Sequence, residues 1–199
     1  MSQEKINFQN ILRFVEFLNK FRLVTRDLLA NGTDRFENDV EHSYMLTMLA
    51  DYIISTDNLS LDRHKVMMYC LVHDMLETYA GDTAFFADES RRNSKHDREV
   101  QSLQRIESEF SEYKDLISII KEYEDKSNEE AKFVYALDKI CPSIQIYLDG
   151  GKWFKESGLT LEALKENKHS KVSVSPIVEK YWEEFLKILN ENRTELFPN

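Results

Sequence analysis

An all-α single domain is the fold this chain predicts, on three observations. Apolar residues recur at helical spacing along most of the 199 positions, only 5 Gly and 3 Pro interrupt them, and the long stretches are rich in Leu, Glu, Lys and Met. Those four are good helix formers, and turn-rich β folds need more Gly and Pro. A chain of this length buries a core without disulfide staples. Its 42% hydrophobic and 12% aromatic content is ordinary for a globular protein. No repeat, low-complexity tract or linker divides residues 1–199, so one domain is expected, with a core over about 10–190.

Phe8, Ile11, Leu12, Val15 and Leu18 predict an amphipathic helix over 7–19. Residues 21–29 are less regular and end in Asn31-Gly32, a turn signal. Asp39 reads as the N-cap of a helix to about Thr56, with His42 in its first turn. Ser60 reads as the cap of the next, which stays helical to about Tyr79 and is nearly apolar all round from Val66 to Leu76. Such a helix belongs at the centre of a fold. Gly81 supplies its stop, suited to the left-handed position after a helix, and leaves Asp82 on a loop beside the last turn.

Residues 82–94 read as a polar loop carrying two exposed aromatics, Phe85 and Phe86, of a length that suits a lid over a site. Helices follow over Lys95–Phe110 and 112–124. Ser127-Asn128-Glu129-Glu130 is a capping box opening a long helix, which Pro142 is expected to kink and Gly150-Gly151 to end. A short helix follows Thr160, and Ser175-Pro176 is an N-cap and N1 pair opening the last one, to about Asn192.

The net charge of −10, from 26 basic and 36 acidic residues, speaks against a nucleic-acid polymer or an anionic membrane as partner. A single phosphate needs only a metal and one or two arginines. Cys70 and Cys141 both lie in apolar helical patterns and read as core thiols, which fits a reducing, cytoplasmic setting. The N-terminus carries no hydrophobic signal segment, and no apolar run is long enough to span a bilayer.

Chemistry concentrates in one stretch, Tyr69-Cys70-Leu71-Val72-His73-Asp74-Met75-Leu76-Glu77-Thr78-Tyr79-Ala80-Gly81-Asp82. An imidazole and a carboxylate sit side by side in an apolar run, with a second carboxylate one turn later. Burying these groups costs several kcal/mol, roughly 2–7 for even a neutral polar group, unless something compensates, and a metal ion does. Asp138 raises the same problem on the apolar face Val134, Leu137, Cys141 and Ile144. His42, His73, Asp74 and Asp138 thus form a candidate set from three helices. Mixed N/O donors suit one divalent ion of the Mn, Fe, Co, Ni, Zn or Mg type. On a continuous helix His73, Asp74 and Glu77 share one face, so a general base reaches what the ligands hold.

The pieces Arg35-Phe36-Glu37-Asn38-Asp39-Val40-Glu41-His42-Ser43, His73-Asp74-Met75-Leu76-Glu77-Thr78-Tyr79-Ala80-Gly81-Asp82-Thr83 and Ala136-Leu137-Asp138-Lys139, followed by Tyr147-Leu148-Asp149-Gly150-Gly151-Lys152-Trp153, occur in this order. In that order they resemble the HD-domain metal-dependent phosphohydrolases, within them the bacterial 5′-deoxynucleotidase-like branch. The resemblance implies an HD-type helical bundle with His42, His73, Asp74 and Asp138 as metal ligands between its central helices. It makes Glu77 the residue that positions or deprotonates an attacking metal-bound water, and Asp82 a carboxylate assisting at the leaving alkoxide or sugar. It gives Arg26 the substrate phosphate, with Arg35 a second substrate-binding position. The implied substrate is a small phosphate ester, a (deoxy)nucleoside 5′-monophosphate, and the implied assembly a homodimer.

Two departures bear on the substrate. Asp27 follows Arg26 where the characterised deoxynucleotidases place an aromatic, and Thr83-Ala84-Phe85-Phe86 lacks their proline. A different phosphate ester or nucleotide is the nearest alternative. A non-catalytic helical protein that binds metal or nucleotide is the other, though a closed structural site has no need of Glu77 and Asp82 beside it.

Overall fold

The computed structural model describes residues 7–83 and 87–198. It is a helical bundle with one two-stranded hairpin, in the order α1 (Phe8–Phe21), β1 (Thr25–Leu29), β2 (Phe36–Asn38), α2 (Asp39–Thr56), α3 (Arg63–Val72), α4 (Glu77–Ala80), α5 (Glu89–Asn93), α6 (Lys95–Glu109), α7 (Lys114–Glu124), α8 (Glu129–Leu148), α9 (Lys152–Ser157), α10 (Leu161–Val172), α11 (Pro176–Glu191) and α12 (Arg193–Leu196). None of these helices is long and apolar enough to cross a membrane.

The core forms two adjoining clusters. Leu46, Ala50, Val66, Cys70, Val134 and Leu137 tie α2 and α3 to α8, and the same cluster continues under α10 and α11. Phe17, Phe21, Leu76, Ile106 and Phe110 gather α1, α4, α6 and α7 into the second, and Ile119 packs against both. α3 therefore lies between layers, as its composition implied, although Met67 and Leu71 leave one of its edges exposed.

Several element ends differ from the sequence reading. Asn38, not Asp39, caps α2: its side chain accepts from the amides of Val40 and Glu41, and Glu41 reaches back to the amide of Asn38. That frees Asp39 to turn inward. Asp62, not Ser60, caps α3. The helix expected to run to Tyr79 stops at Val72, and tight turns carry the chain through His73–Leu76 to α4. Gly81 sits at φ 70°, ψ 147°, beyond the left-handed helical well and in a region essentially reserved for glycine. The 82–94 stretch holds a short helix, α5, while Phe85 and Phe86 lie outside the described residues. Asn128 caps α8, which continues through Pro142; the missing proline N–H leaves the carbonyl of Asp138 without its helical donor.

The hairpin is the element the periodicity missed. β1 and β2 pair antiparallel, Thr25 opposite Asn38 and Leu29 opposite Phe36, around a turn with Gly32 at φ 77°. The amide of Asp39 donates to the Val24 carbonyl, so the hairpin runs directly into α2. This brings Arg26 beside Glu37 and within reach of Asp74, just past the end of α3.

Candidate metal centre

His42 lies in the first turn of α2, His73 is the C-cap of α3, and Asp138 sits mid-way along α8. All three are buried, and one ligand atom from each lies within 4.8 Å of the others. His42 Nε2 is 2.9 Å from Asp138 Oδ1, and His73 Nε2 is 3.7 Å from the same oxygen. Such separations fit donors about 2.0–2.2 Å from one common ion.

The ring of His73 is already oriented. Its Nδ1 donates to the Cys70 carbonyl at 2.9 Å, one of the last-turn acceptors that a helix end leaves open. Nε2 is thereby turned inward, as in metal-ligating histidines, whose other ring N–H is commonly held by a carbonyl or carboxylate. That nitrogen is fully buried, and although Asp74 Oδ2 lies 2.8 Å away, the two lack the geometry of a hydrogen bond. An orphaned, pre-oriented imidazole nitrogen among carboxylates is what a divalent cation would satisfy. The residues present fit the ion.

Asp74 joins this group to a second. Its Oδ2 accepts from Arg26 Nη1 at 2.7 Å, and the guanidinium also stands 3.6 Å from Asp39 and 3.7 Å from Glu37. Asp39, Asp74 and Glu77 offer one oxygen each within 4.8 Å of one another. Neither Asp39 oxygen nor Glu77 Oε2 has a hydrogen-bond partner among the described residues. Lys95 Nζ stands 3.9 Å from Glu77 Oε1. The broken helix matters here: past the turns at His73–Leu76, Asp74 stands between the two groups, its Oδ2 2.8 Å from His73 Nε2 and an oxygen within 4.8 Å of one from Glu77.

The electrostatics follow from this crowding. Burial opposes the imidazolium of His73, but Asp74 and Asp138 outweigh it and hold its pKa up at about 10 in the metal-free protein. Burial dominates at His42 and pushes it below its ordinary value. Burial, then the neighbouring carboxylates Asp74 and Asp82, raises Glu77 well above the usual carboxylate range. Asp39 is pushed up to about 8, by burial first and Asp74 second. Burial works against charge on Asp74 as well, but His73 and Arg26 keep it ionised.

These groups open on a cleft of about 590 Å³, the size of a small-molecule site. Arg26, Asp74, Glu77, Asp82 and Asp138 all line it. Arg35 does not: it is exposed and pairs bidentately with Glu41, at 2.6 and 2.8 Å, away from the cleft. Sequence reasoning missed Asp39, taken for a cap, and gave Glu37 no role. It also missed the lysines Lys95, Lys139 and Lys168 of the cleft wall, which look like ordinary helix-surface residues until tertiary packing turns them inward.

Against known proteins, the HD domain model designated HD_3 matches residues 18–182. The mouse protein named 5′-deoxynucleotidase HDDC2 is 33% identical over 132 residues, which cover 65% of this chain and 64% of the relative. The zebrafish protein of the same name is 28% identical over 141 residues, 69% of this chain and 68% of the relative. The chain thus spans just under two thirds of the mouse relative's length. Among solved structures, a predicted metal-dependent phosphohydrolase from Magnetospirillum magnetotacticum MS-1 superposes with a TM-score of 0.79 at 23% identity, covering 96% of this chain and 98% of the other. A conserved hypothetical protein from Pyrococcus furiosus gives 0.60 at 20% identity, covering 93% and 99%. With a family model spanning most of its length and a fold to match, the chain belongs to the HD-domain family.

Proposed function

We propose that this chain is a metal-dependent phosphohydrolase that releases phosphate from (deoxy)nucleoside 5′-monophosphates. One juxtaposition carries the reading: the orphaned Nε2 of His73 beside His42 and Asp138, next to a buried Glu77 oxygen with no partner, at one cleft. The relatives' name, 5′-deoxynucleotidase, supports the substrate class.

His42, His73, Asp74 and Asp138 would hold the ion. A bound divalent cation supplies Lewis acidity and lowers the pKa of water toward neutrality. Arg26, free to exchange its contact with Asp74 for one with a phosphoryl oxygen, neutralises charge on the substrate. Glu77 receives the proton of the attacking water, and burial with Asp74 and Asp82 beside it raises its affinity for that proton. The water oxygen joins phosphorus as the P–O5′ bond breaks in line. Asp82 serves the departing oxygen as proton donor, or holds the sugar beside it. Asp27 lines the same cleft and faces the group attached to the phosphate.

The same reading makes residues 10–190 one domain of a cytoplasmic homodimer. Free, buried Cys70 and Cys141 support a reducing compartment. Exposed Tyr44, Met48 and Tyr52, at i, i+4 spacing on α2, support a face for a second copy.

The test is a screen of the purified protein on deoxy- and ribonucleoside monophosphates, triphosphates and simple phosphate esters, with Mn²⁺, Co²⁺ and Mg²⁺ in turn. Phosphate release from 5′-monophosphates is expected. Metal binding without release from any of them would sink the reading.

A further inference from the structure

The cleft carries more positive charge than one phosphate uses. Arg26, Arg92, Lys95, Lys139, Lys168 and Lys171 line it, in a chain whose net charge is −10. Three of these already have counter-ions: Arg26 has Asp74, Lys139 donates to Asp138 Oδ2 at 2.6 Å, and Lys95 is 3.3 Å from Glu99. Lys168 has none. It stands on α10, the wall that packs on α8, is only 9% exposed, and makes no hydrogen bond or ion pair with any described residue. Its stem is packed into the wall while its ammonium reaches the cleft, where an anion would give it the partner the protein does not. Burial and then the charge of Lys139 depress it to about 8, with Asp138 pulling the other way. Lys171, one turn along α10, faces the same cleft, as does the amide of Asn167.

We propose that Lys168, with Lys171 and Asn167, is a subsite for a second phosphate on the substrate, so that the preferred substrate is a phosphomonoester whose leaving group is itself phosphorylated. This rests on the phosphohydrolase reading and extends it to the substrate's far end. The scissile phosphate lies with Arg26, Glu77 and the ligand cluster, while the second phosphate faces α10. In hydrolysis of such a substrate, water adds to the first phosphorus, the P–O bond to the leaving group breaks, and that oxygen leaves as a hydroxyl. The second phosphate stays on the product, held by Lys168.

The experiment compares deoxyadenosine 5′-monophosphate with deoxyadenosine 3′,5′-bisphosphate, in metal-loaded wild-type protein, Lys168→Met and Lys168→Arg. The bisphosphate is expected to have at least about tenfold higher kcat/KM, matching the gain of about 1.4 kcal/mol or more from one charge-assisted contact. Lys168→Met is expected to collapse that preference toward unity and Lys168→Arg to restore most of it. A higher melting temperature for Lys168→Met than for wild type would accompany the loss and establish that the variant is folded. Equal kcat/KM for the two substrates, or a preference that survives Lys168→Met, overturns the subsite while leaving the phosphohydrolase reading intact. Hydrolysis of neither substrate overturns both.

Discussion

Arg26→Met removes the one cation that three carboxylates share. At an effective dielectric constant of about 20, unit charges 2.7 Å apart attract by roughly 6 kcal/mol. Desolvation of the guanidinium, whose side chain is only 16% exposed, takes back much of that. Removing one partner of such a buried pair costs about 3–5 kcal/mol, because the other charge is left uncompensated. His73 still stands beside Asp74, so the lower figure, about 3 kcal/mol, is expected here. For a domain of this size that is a fall of roughly 6–12 °C in melting temperature. The measurement is a thermal melt of the metal-free protein, repeated with excess Mn²⁺, which is expected to recover part of the loss by supplying Asp74 with another counter-charge. In kinetics the variant is expected to lose about 10²–10³ in kcat/KM, the usual effect of deleting one charge-stabilising donor. Arg26→Lys should fall between, keeping the charge but not the fork. A metal-free Arg26→Met that melts with the wild type would refute the shared-cation reasoning. Undiminished kcat/KM would refute the phosphate role.

The raised pKa of His73, about 10, means that metal must displace a proton from it. Affinity for Mn²⁺ is therefore expected to rise by up to about tenfold per pH unit between pH 6 and 9. Calorimetry in two buffers of different ionisation enthalpy should find about one proton released per ion, and a pH-independent affinity would contradict this. At Gly81 (φ 70°), a Cβ would meet Arg91 Nη2 at 2.8 Å, and that arginine donates to the carbonyls of Ala80 and Asp82. Gly81→Ala is expected to cost about 1–3 kcal/mol in urea unfolding and to lower kcat by shifting Asp82. Lys168 has a folded pKa near 8, below its ordinary 10.5, so between those values the unfolded chain binds more protons. Wild type should accordingly gain stability from pH 8 to 10.5 relative to Lys168→Met, and parallel stability curves would contradict the burial of that charge.

Much of the site was legible because burying charge is expensive enough to leave a mark in the sequence. His73-Asp74 in an apolar run and Asp138 on an apolar face announced themselves, and the structure brings both to His42. Three things were hidden. The break at Val72 carries no glycine or proline to mark it, and Met75 and Leu76 just beyond it continue the apolar pattern into the second core cluster. The hairpin has strands of five and three residues, too short and too charged for a period of two to register. Asp39 reads as a cap beside Asn38, and only the register of the capping box decides which of them turns inward. Arg35 stands in the stretch that carries the resemblance, yet its guanidinium pairs with Glu41 away from the cleft.

The decisive measurement is phosphate release by Glu77→Gln at matched metal content. The substitution keeps the shape of a side chain that makes no hydrogen bond through Oε2, and leaves His42, His73, Asp74 and Asp138 untouched. With metal quantified in both proteins and deoxynucleoside 5′-monophosphate as substrate, equal metal occupancy and a fall of about 10²–10⁴ in kcat are expected. Equal occupancy with undiminished kcat would contradict it.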